Sequence, residues 1–215
     1  LDMAIRRIAV EQAFVTPKIM TQWQVVLASR DVEPGFAKMG ASILAQTPAN
    51  KPLDDRLLDI GAGRIAHMDS IGIDMHVLSL TSPGVQVFDG SLATRLAAES
   101  NDALSAAVKA YPTRFAGLAA IAPQEPAKAA REIERAARDL DLCGVIVNSH
   151  TMGEYLDTAK YRPILEAAEA LGMPIYLHPR EPAPSMVTPF LDYGLYFAGW
   201  GFAAETGLHA MRLIM

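Results

Sequence analysis

Two polar residues that follow apolar runs could together bind a divalent metal ion. Glu11 follows the run at residues 7–10, and His178 follows the run at residues 175–177. A carboxylate and an imidazole from two strand ends form half of a site for Mn²⁺ or Zn²⁺, and such a site needs at least one more protein ligand. Two alternatives stay open from spacing alone. Glu11 could pair with Lys or Arg at a strand edge, and His178 could be structural.

Other polar residues could contact a small substrate. His150 follows a further apolar run and is a substrate contact, a group behind a metal site or a solvated loop residue, of which we favour the last. Lys51 and Arg56 could bind an anionic substrate or be ordinary surface charges. The sequence has no Gly-rich phosphate loop after a strand, no G-x-S-x-G nucleophile motif and no H-E-x-x-H zinc motif. Phosphate-loop, serine-hydrolase and H-E-x-x-H metalloprotease chemistry are therefore not indicated.

The elements that would position these residues alternate along the chain. Short, nearly continuous apolar runs are typical of strands buried on both faces, and longer Ala-rich stretches between them have helical spacing. The predicted strands are residues 7–10, 76–80, 117–121, 144–147 and 175–177, and the predicted helices are residues 53–71, 91–110, 126–140, 161–171 and 203–215. Strands that alternate with helices indicate an α/β fold with a parallel sheet.

About five strand–helix units leave two architectures open. A TIM barrel needs eight units and about 250 residues, so the chain forms either a doubly wound sheet or most of a barrel. The sequence stops within a helical pattern, which favours a barrel that continues beyond residue 215. We expect one partial barrel domain over residues 1–215, with a long inserted segment at about residues 16–52. Long loops after barrel strands often carry function or form interfaces.

Composition excludes several classes of protein. The chain has 215 residues, a net charge of −5 and 51% apolar residues, with no stripe of Lys and Arg, so we expect no nucleic acid partner. No run of 18 apolar residues occurs, and we expect no membrane span. Cys143 is the single cysteine and cannot form an internal disulfide, which fits a cytoplasmic protein.

Eight short segments carry a resemblance that spans the chain. The segments are IAVEQAF (residues 8–14), RIAHMDSIGID (64–74), LSLTSPGVQ (78–86), YPTRF (111–115), APQEP (122–126), VNSH (147–150), YLHP (176–179) and GFAAETG (201–207). Each segment alone is a weak signal, but the ordered set is specific. It resembles the amidohydrolase-2 family, and most closely its metal-dependent aromatic acid decarboxylases of the 5-carboxyvanillate and γ-resorcylate type. The resemblance implies a distorted (β/α)8 TIM barrel whose C-terminal third is absent from this chain.

The resemblance also implies roles for particular residues. Glu11 followed by the small residue Ala13 matches the decarboxylase subgroup, where many other members of the superfamily have a His-x-His pair. Glu11 and His178 would be two of three metal ligands, whereas the third ligand, an Asp, and the catalytic His would lie beyond residue 215. Phe202 would cap the substrate pocket of a neighbouring subunit, which implies a homodimer or homotetramer.

One position departs from the pattern of the family. Lys51 aligns best with an arginine that binds the substrate carboxylate in relatives, and Lys lacks the two-pronged geometry of Arg. Either the acid group of the substrate differs, or Arg56 or Arg180 takes over. Ala13, Lys51, His150 and Phe202 are the predicted substrate-binding residues.

The resulting hypothesis is a carboxy-lyase that decarboxylates a hydroxylated aromatic acid without oxidation. It would use one divalent ion, with Mn²⁺ preferred over Zn²⁺ or Mg²⁺, and no organic cofactor. Its partners would be the small aromatic acid and further copies of itself. Two alternatives remain: a metal-dependent hydrolase of a lactone or an amide, and an inactive fragment of a barrel.

Overall fold

The computed structural model describes residues 5–215 and contains a single curled parallel sheet. Its five strands lie side by side in the order in which they occur along the chain, and each is parallel to its neighbours. The strands are β1 (Ile8–Phe14), β2 (Met75–Leu80), β3 (Phe115–Ala120), β4 (Gly144–Asn148) and β5 (Ile175–His178). A doubly wound sheet reverses its strand order at a switch point, and this sheet does not, so the doubly wound alternative is wrong. The architecture is α/β, as part of a TIM barrel.

Helices connect the strands and cover the outside of the sheet. They are α1 (Pro17–Leu27), α2 (Pro34–Gly40), α3 (Lys51–Leu58), α4 (Ala62–Ile71), α5 (Gly90–Ala110), α6 (Pro126–Asp139), α7 (Arg162–Leu171), α8 (Thr188–Leu191) and α9 (Gly201–Ile214). A short 3-10 turn, Ala159–Tyr161, precedes α7. The predicted helices near residues 91–110, 126–140, 161–171 and 203–215 are confirmed. Among the helices of residues 5–215, none is both long and apolar enough to cross a membrane.

Local sequence signals explain where several helices begin and end. The Asp89 carboxylate accepts hydrogen bonds from the backbone N–H groups of Ser91 and Leu92, which caps the start of α5. Helix α7 ends at Gly172, whose φ of 63° lies in the left-handed region that glycine enters without steric cost. These signals fix the start of α5 after β2 and the end of α7 before β5.

The segment at residues 16–52 is not an open loop. It contains α1 and α2 and the start of α3, and it packs Trp23, Phe36 and Met39 into the hydrophobic core. The Trp23 indole N–H donates a buried hydrogen bond of 2.9 Å to the carbonyl oxygen of Gly84. The sequence prediction missed this order because the two helices are short and most of their residues stay partly exposed.

The predicted helix at residues 53–71 is two helices. The chain leaves helical geometry at Asp59, where ψ is 106°, and re-enters it after Gly61. The Asp59 carboxylate accepts from the Gly61 N–H at 2.9 Å, while Arg64 Nε donates to the Asp59 carbonyl oxygen at 2.6 Å. A short Asp side chain that bonds nearby backbone offers the chain an alternative to the helix, which explains the break.

Strand β1 is longer than predicted. The prediction ended it at residue 10, but pairing with β2 continues through Gln12, Ala13 and Phe14 after an irregularity in register. Glu11 therefore lies within the strand, not after it. Such irregularities redirect side chains, and this one falls next to the residue that was singled out for metal binding.

Candidate metal centre

The curled sheet brings Glu11 and His178 together. Glu11 is on β1 and His178 ends β5, and in a flat sheet strands four positions apart would be about 19 Å apart. In the structure the Glu11 Oε1 atom lies 3.2 Å from His178 Nε2. The sheet must therefore curve so that the side chains of its two edge strands meet on the concave face.

The two donor atoms fit a single divalent ion. Metal–ligand bonds of about 2.1 Å that meet at about 90–100° place the two ligand atoms roughly 3.0–3.2 Å apart, which is the separation that Glu11 and His178 show. Burial lowers the pKa of His178 below its usual value, although the Glu11 carboxylate opposes this shift. A neutral imidazole is the form that binds metal ions. A carboxylate with an imidazole suits Mn²⁺ or Zn²⁺.

A tyrosine completes the group. The Tyr176 hydroxyl donates a 2.7 Å hydrogen bond to Glu11 Oε2, the carboxylate oxygen that does not face His178. Burial, followed by the contact with Glu11, raises the pKa of Tyr176 to about 12, so the phenol keeps its proton at neutral pH. No role for Tyr176 is predicted from the sequence. The spacing of the two residues could have indicated one. Residues 176 and 178 are two apart on a strand, so their side chains point to the same face.

A second group of potential ligands has a different character. Ligand atoms of Glu33, His150 and Glu181 lie within 4.8 Å of one another. The fully buried Arg180 donates to both carboxylates, at 2.6 Å to Glu33, and to the carbonyl oxygen of His150 at 3.1 Å. A guanidinium ion thus already supplies the positive charge that a metal would bring, and this group is an internal ion-pair cluster.

His150 offers no free nitrogen to a metal or a substrate. Its Nδ1 accepts from the Gly153 N–H at 3.1 Å, which leaves Nε2 to donate to the Glu181 carbonyl oxygen at 3.2 Å. The side chain is fully buried, and burial together with Arg180 lowers the pKa of His150 to about 2. The expectation of a solvated loop residue is wrong, and the geometry does not support a direct substrate contact. The sequence did not reveal this burial because one of the two backbone partners, the Glu181 carbonyl oxygen, lies 31 residues further along the chain.

The remaining predicted site residues lie at different places. Ala13 and Arg56 line a cavity of about 460 Å³ together with Glu11. Lys51 does not line this cavity; it is exposed at the start of α3, where its ammonium group pairs with Asp55 at 2.7 Å. The prediction that Lys51 takes the place of the arginine in relatives is thus not supported by its position, because the side chain is directed to its own helix.

Phe202 lies near the start of α9. It is half-buried, and its ring packs edge-on against Phe197 with ring centroids 5.8 Å apart. The contribution of Phe202 to the pocket of a neighbouring subunit stays a prediction.

A buried network around α9 was not predicted. The Glu205 carboxylate, on α9, accepts from the Ser149 and Tyr155 hydroxyls and from the Ala183 N–H, at 3.0–3.1 Å. His209, one turn further along α9, accepts from the Leu156 N–H at 3.0 Å. The network joins α9 to the segments that follow β4 and β5. Its polar groups are satisfied internally, which indicates a structural role.

Comparisons with known proteins give relatives for most of the chain. The family model described as amidohydrolase matches residues 46–215. The chain is 41% identical over 171 residues to a γ-resorcylate decarboxylase from Polaromonas sp.. The aligned region covers 75% of this chain and 52% of that protein. The chain thus spans about half the length of the curated relatives it matches.

Solved structures show the same fold. A 5-carboxyvanillate decarboxylase from Novosphingobium aromaticivorans, solved with manganese and a nitrobenzoic acid, superposes with a TM-score of 0.95 at 40% identity. The match covers 99% of this chain and 62% of that one. A dihydroxybenzoic acid decarboxylase from Polaromonas sp., solved with manganese and 2-nitroresorcinol, gives a TM-score of 0.82 at 34% identity, covering 98% of this chain and 60% of that one.

Proposed function

Because the chain belongs to the amidohydrolase family, we propose that the protein is a carboxy-lyase that decarboxylates a hydroxylated aromatic acid with the help of one divalent metal ion. The observation that carries the proposal is the approach of Glu11 Oε1 and His178 Nε2 to 3.2 Å across the curled sheet. The similarity to 5-carboxyvanillate and γ-resorcylate decarboxylases supports the reaction class.

Glu11 and His178 would hold the ion, and Mn²⁺ is the first choice because the similar decarboxylases were solved with manganese. Zn²⁺ and Mg²⁺ remain alternatives for the same donor set. When bound, a divalent cation orients a phenolate and a carboxylate and stabilises the charge that develops between them. The third protein ligand would be an Asp beyond residue 215.

The reaction balances without an organic cofactor. The bond between the ring carbon and the carboxylate breaks, CO₂ leaves, and the electron pair stays on the ring. A proton then occupies the carbon that carried the carboxylate, so no oxidant or reductant is consumed. The proton donor would be a His or Asp beyond residue 215, while the residues of this chain bind and orient the substrate.

Substrate contacts are proposed from the cavity beside Glu11. Ala13 leaves space next to the Glu11 carboxylate, because its methyl group is the smallest side chain that a strand normally carries. Arg56 shares this cavity, and its guanidinium group is suited to the second acid group of a substrate such as 5-carboxyvanillate. Lys51, paired with Asp55, would contribute only if that ion pair opened.

The protein would act as a cytoplasmic homodimer or homotetramer. Phe202 would reach the pocket of a neighbouring subunit, and the large exposed side chains of Trp200 and Tyr193, which are 56% and 80% exposed, lie in the same part of the chain. An exposed apolar region of this kind is typical of a contact between proteins. Light scattering at several concentrations measures the size of the oligomer.

The test uses the full-length product of the gene that encodes this chain. Metal content is measured by elemental analysis, and CO₂ release is measured with 5-carboxyvanillate and γ-resorcylate. We expect about one Mn or Zn per chain with CO₂ release, and Glu11→Gln or His178→Asn should each lower the rate by more than a hundredfold. Glu134→Gln, which changes an exposed carboxylate on α6, is the matched control. Bound metal without CO₂ from any hydroxybenzoate would refute the decarboxylase and favour the hydrolase. Absence of metal would refute both.

A further inference from the structure

Glu11 has two hydrogen-bonding neighbours, and they contact different oxygens of its carboxylate. His178 Nε2 lies 3.2 Å from Oε1, and the Tyr176 hydroxyl lies 2.7 Å from Oε2. Tyr176 and His178 are two residues apart on β5, so their side chains point to the same face of the sheet. Two residues of β5 therefore contact both carboxylate oxygens of Glu11, which precedes Tyr176 by 165 residues in the chain.

No other side chain or backbone group holds this carboxylate within residues 5–215. The Glu11 side chain is 53% exposed, and a Glu side chain has three rotatable bonds. Without the contact from Tyr176, it could turn so that either oxygen, or both, faced His178. The hydroxyl removes this choice because it occupies Oε2 and leaves Oε1 next to the imidazole.

We propose that Tyr176 is a positioning residue that holds Glu11 as a ligand through one oxygen, with Oε1 directed at the metal ion and Oε2 bound to the tyrosine hydroxyl. The inference rests on the proposed function for the metal site but not on the reaction. Groups that hydrogen-bond a metal ligand orient it, and their loss typically weakens metal binding 10–100-fold. The ring of Tyr176 lies beside that of His178, with centroids 6.3 Å apart, so it also borders the second ligand.

The test compares Tyr176→Phe with a matched removal of a hydroxyl elsewhere. Tyr161 also donates to a glutamate, at 2.7 Å to Glu154, and within residues 5–215 it has no hydrogen bond to Glu11 or His178. Metal-free full-length wild type, Y176F and Y161F are titrated with Mn²⁺ alone, and the free ion is followed by electron paramagnetic resonance. We expect the Kd for Mn²⁺ to rise about 10–100-fold in Y176F and less than twofold in Y161F.

A double-mutant cycle shows whether Tyr176 acts through Glu11. In a Glu11→Gln background, Tyr176→Phe should change the Kd for Mn²⁺ by less than about twofold, because the carboxylate that it orients is gone. Circular dichroism spectra and thermal unfolding of all variants report on folding. If Y176F does not fold, Tyr176→Leu replaces it in the same titrations.

Each outcome decides the proposal. An unchanged Kd for Mn²⁺ together with a raised KM for the aromatic acid would overturn it and make Tyr176 a substrate contact. An equal loss of Mn²⁺ affinity with and without Glu11→Gln would overturn it as well. Loss of Mn²⁺ affinity that depends on Glu11, in a protein that releases no CO₂, would uphold the positioning role while the proposed decarboxylase fails.

Discussion

The stability of the protein should fall as the pH falls below 7, and His209 offers a direct way to measure one cause. His209 is fully buried on α9, and its Nε2 accepts from the Leu156 N–H at 3.0 Å. Burial lowers the pKa of His209 to about 4, with Asp157 raising and Arg212 lowering it more weakly. In the unfolded chain the imidazole titrates near 6.5, so unfolding takes up a proton between these two values. Stability is therefore fully present above about pH 6.5 and is lost as the pH falls towards 4.

The magnitude follows from the two pKa values. Between pH 7 and pH 5, a histidine that titrates at about 6.5 unfolded and about 4 folded lowers the free energy of unfolding by about 1.8 kcal/mol. His209→Gln removes the titration, and its amide oxygen can still accept from the Leu156 N–H. Between pH 7 and pH 5 we expect the free energy of unfolding to fall by about 1.8 kcal/mol more in the wild type than in H209Q. This difference does not depend on how much H209Q lowers the free energy of unfolding at pH 7.

Urea unfolding measures this difference. Trp23 is 1% exposed, and its fluorescence reports the opening of the core. Both proteins are measured at pH 7.0 and 5.0 at one protein concentration, so the effects of other titrating groups cancel between them. His67→Gln, which removes an exposed imidazole on α4, should keep the wild-type pH dependence. Equal losses in the wild type and H209Q would refute the linkage between burial of His209 and acid sensitivity.

Two further substitutions test the core and the buried ion pairs. Trp23→Phe leaves the buried Gly84 carbonyl oxygen without its donor and should cost about 1–3 kcal/mol in the free energy of unfolding, measured by urea titration with circular dichroism; a cost below about 0.5 kcal/mol would mean that water replaces the indole. Arg180→Met leaves Glu33 and Glu181 without their shared counter-charge and should cost about 3–5 kcal/mol in the free energy of unfolding by the same measurement; unchanged stability would refute the role of the guanidinium group as their counter-charge.

Local signals in the sequence determined the elements and the two main candidate ligands. Continuous apolar runs predict buried parallel strands because both faces of such strands are covered, and all five strands are found close to the predicted positions. Glu11 and His178 stood out because each follows an apolar run, although spacing alone left structural roles open for both. Short-range features such as Gly172 also mark where helices end. Their effect depends only on neighbours in the chain, so it can be predicted from the sequence.

Relations between distant residues were decided by the tertiary structure. The alternation of strands and helices is the same in a doubly wound sheet and in a barrel, so only the strand order and curvature distinguish them. The same curvature brings Glu11 to His178 and Tyr176. The distant Glu181 carbonyl oxygen and the nearby Gly153 N–H take both nitrogens of the buried His150. Lys51 and its neighbour Asp55 pair within one helix and stay away from Glu11. A pattern along the chain specifies which side chains leave a strand, whereas the partners they meet depend on packing between elements that lie up to 165 residues apart.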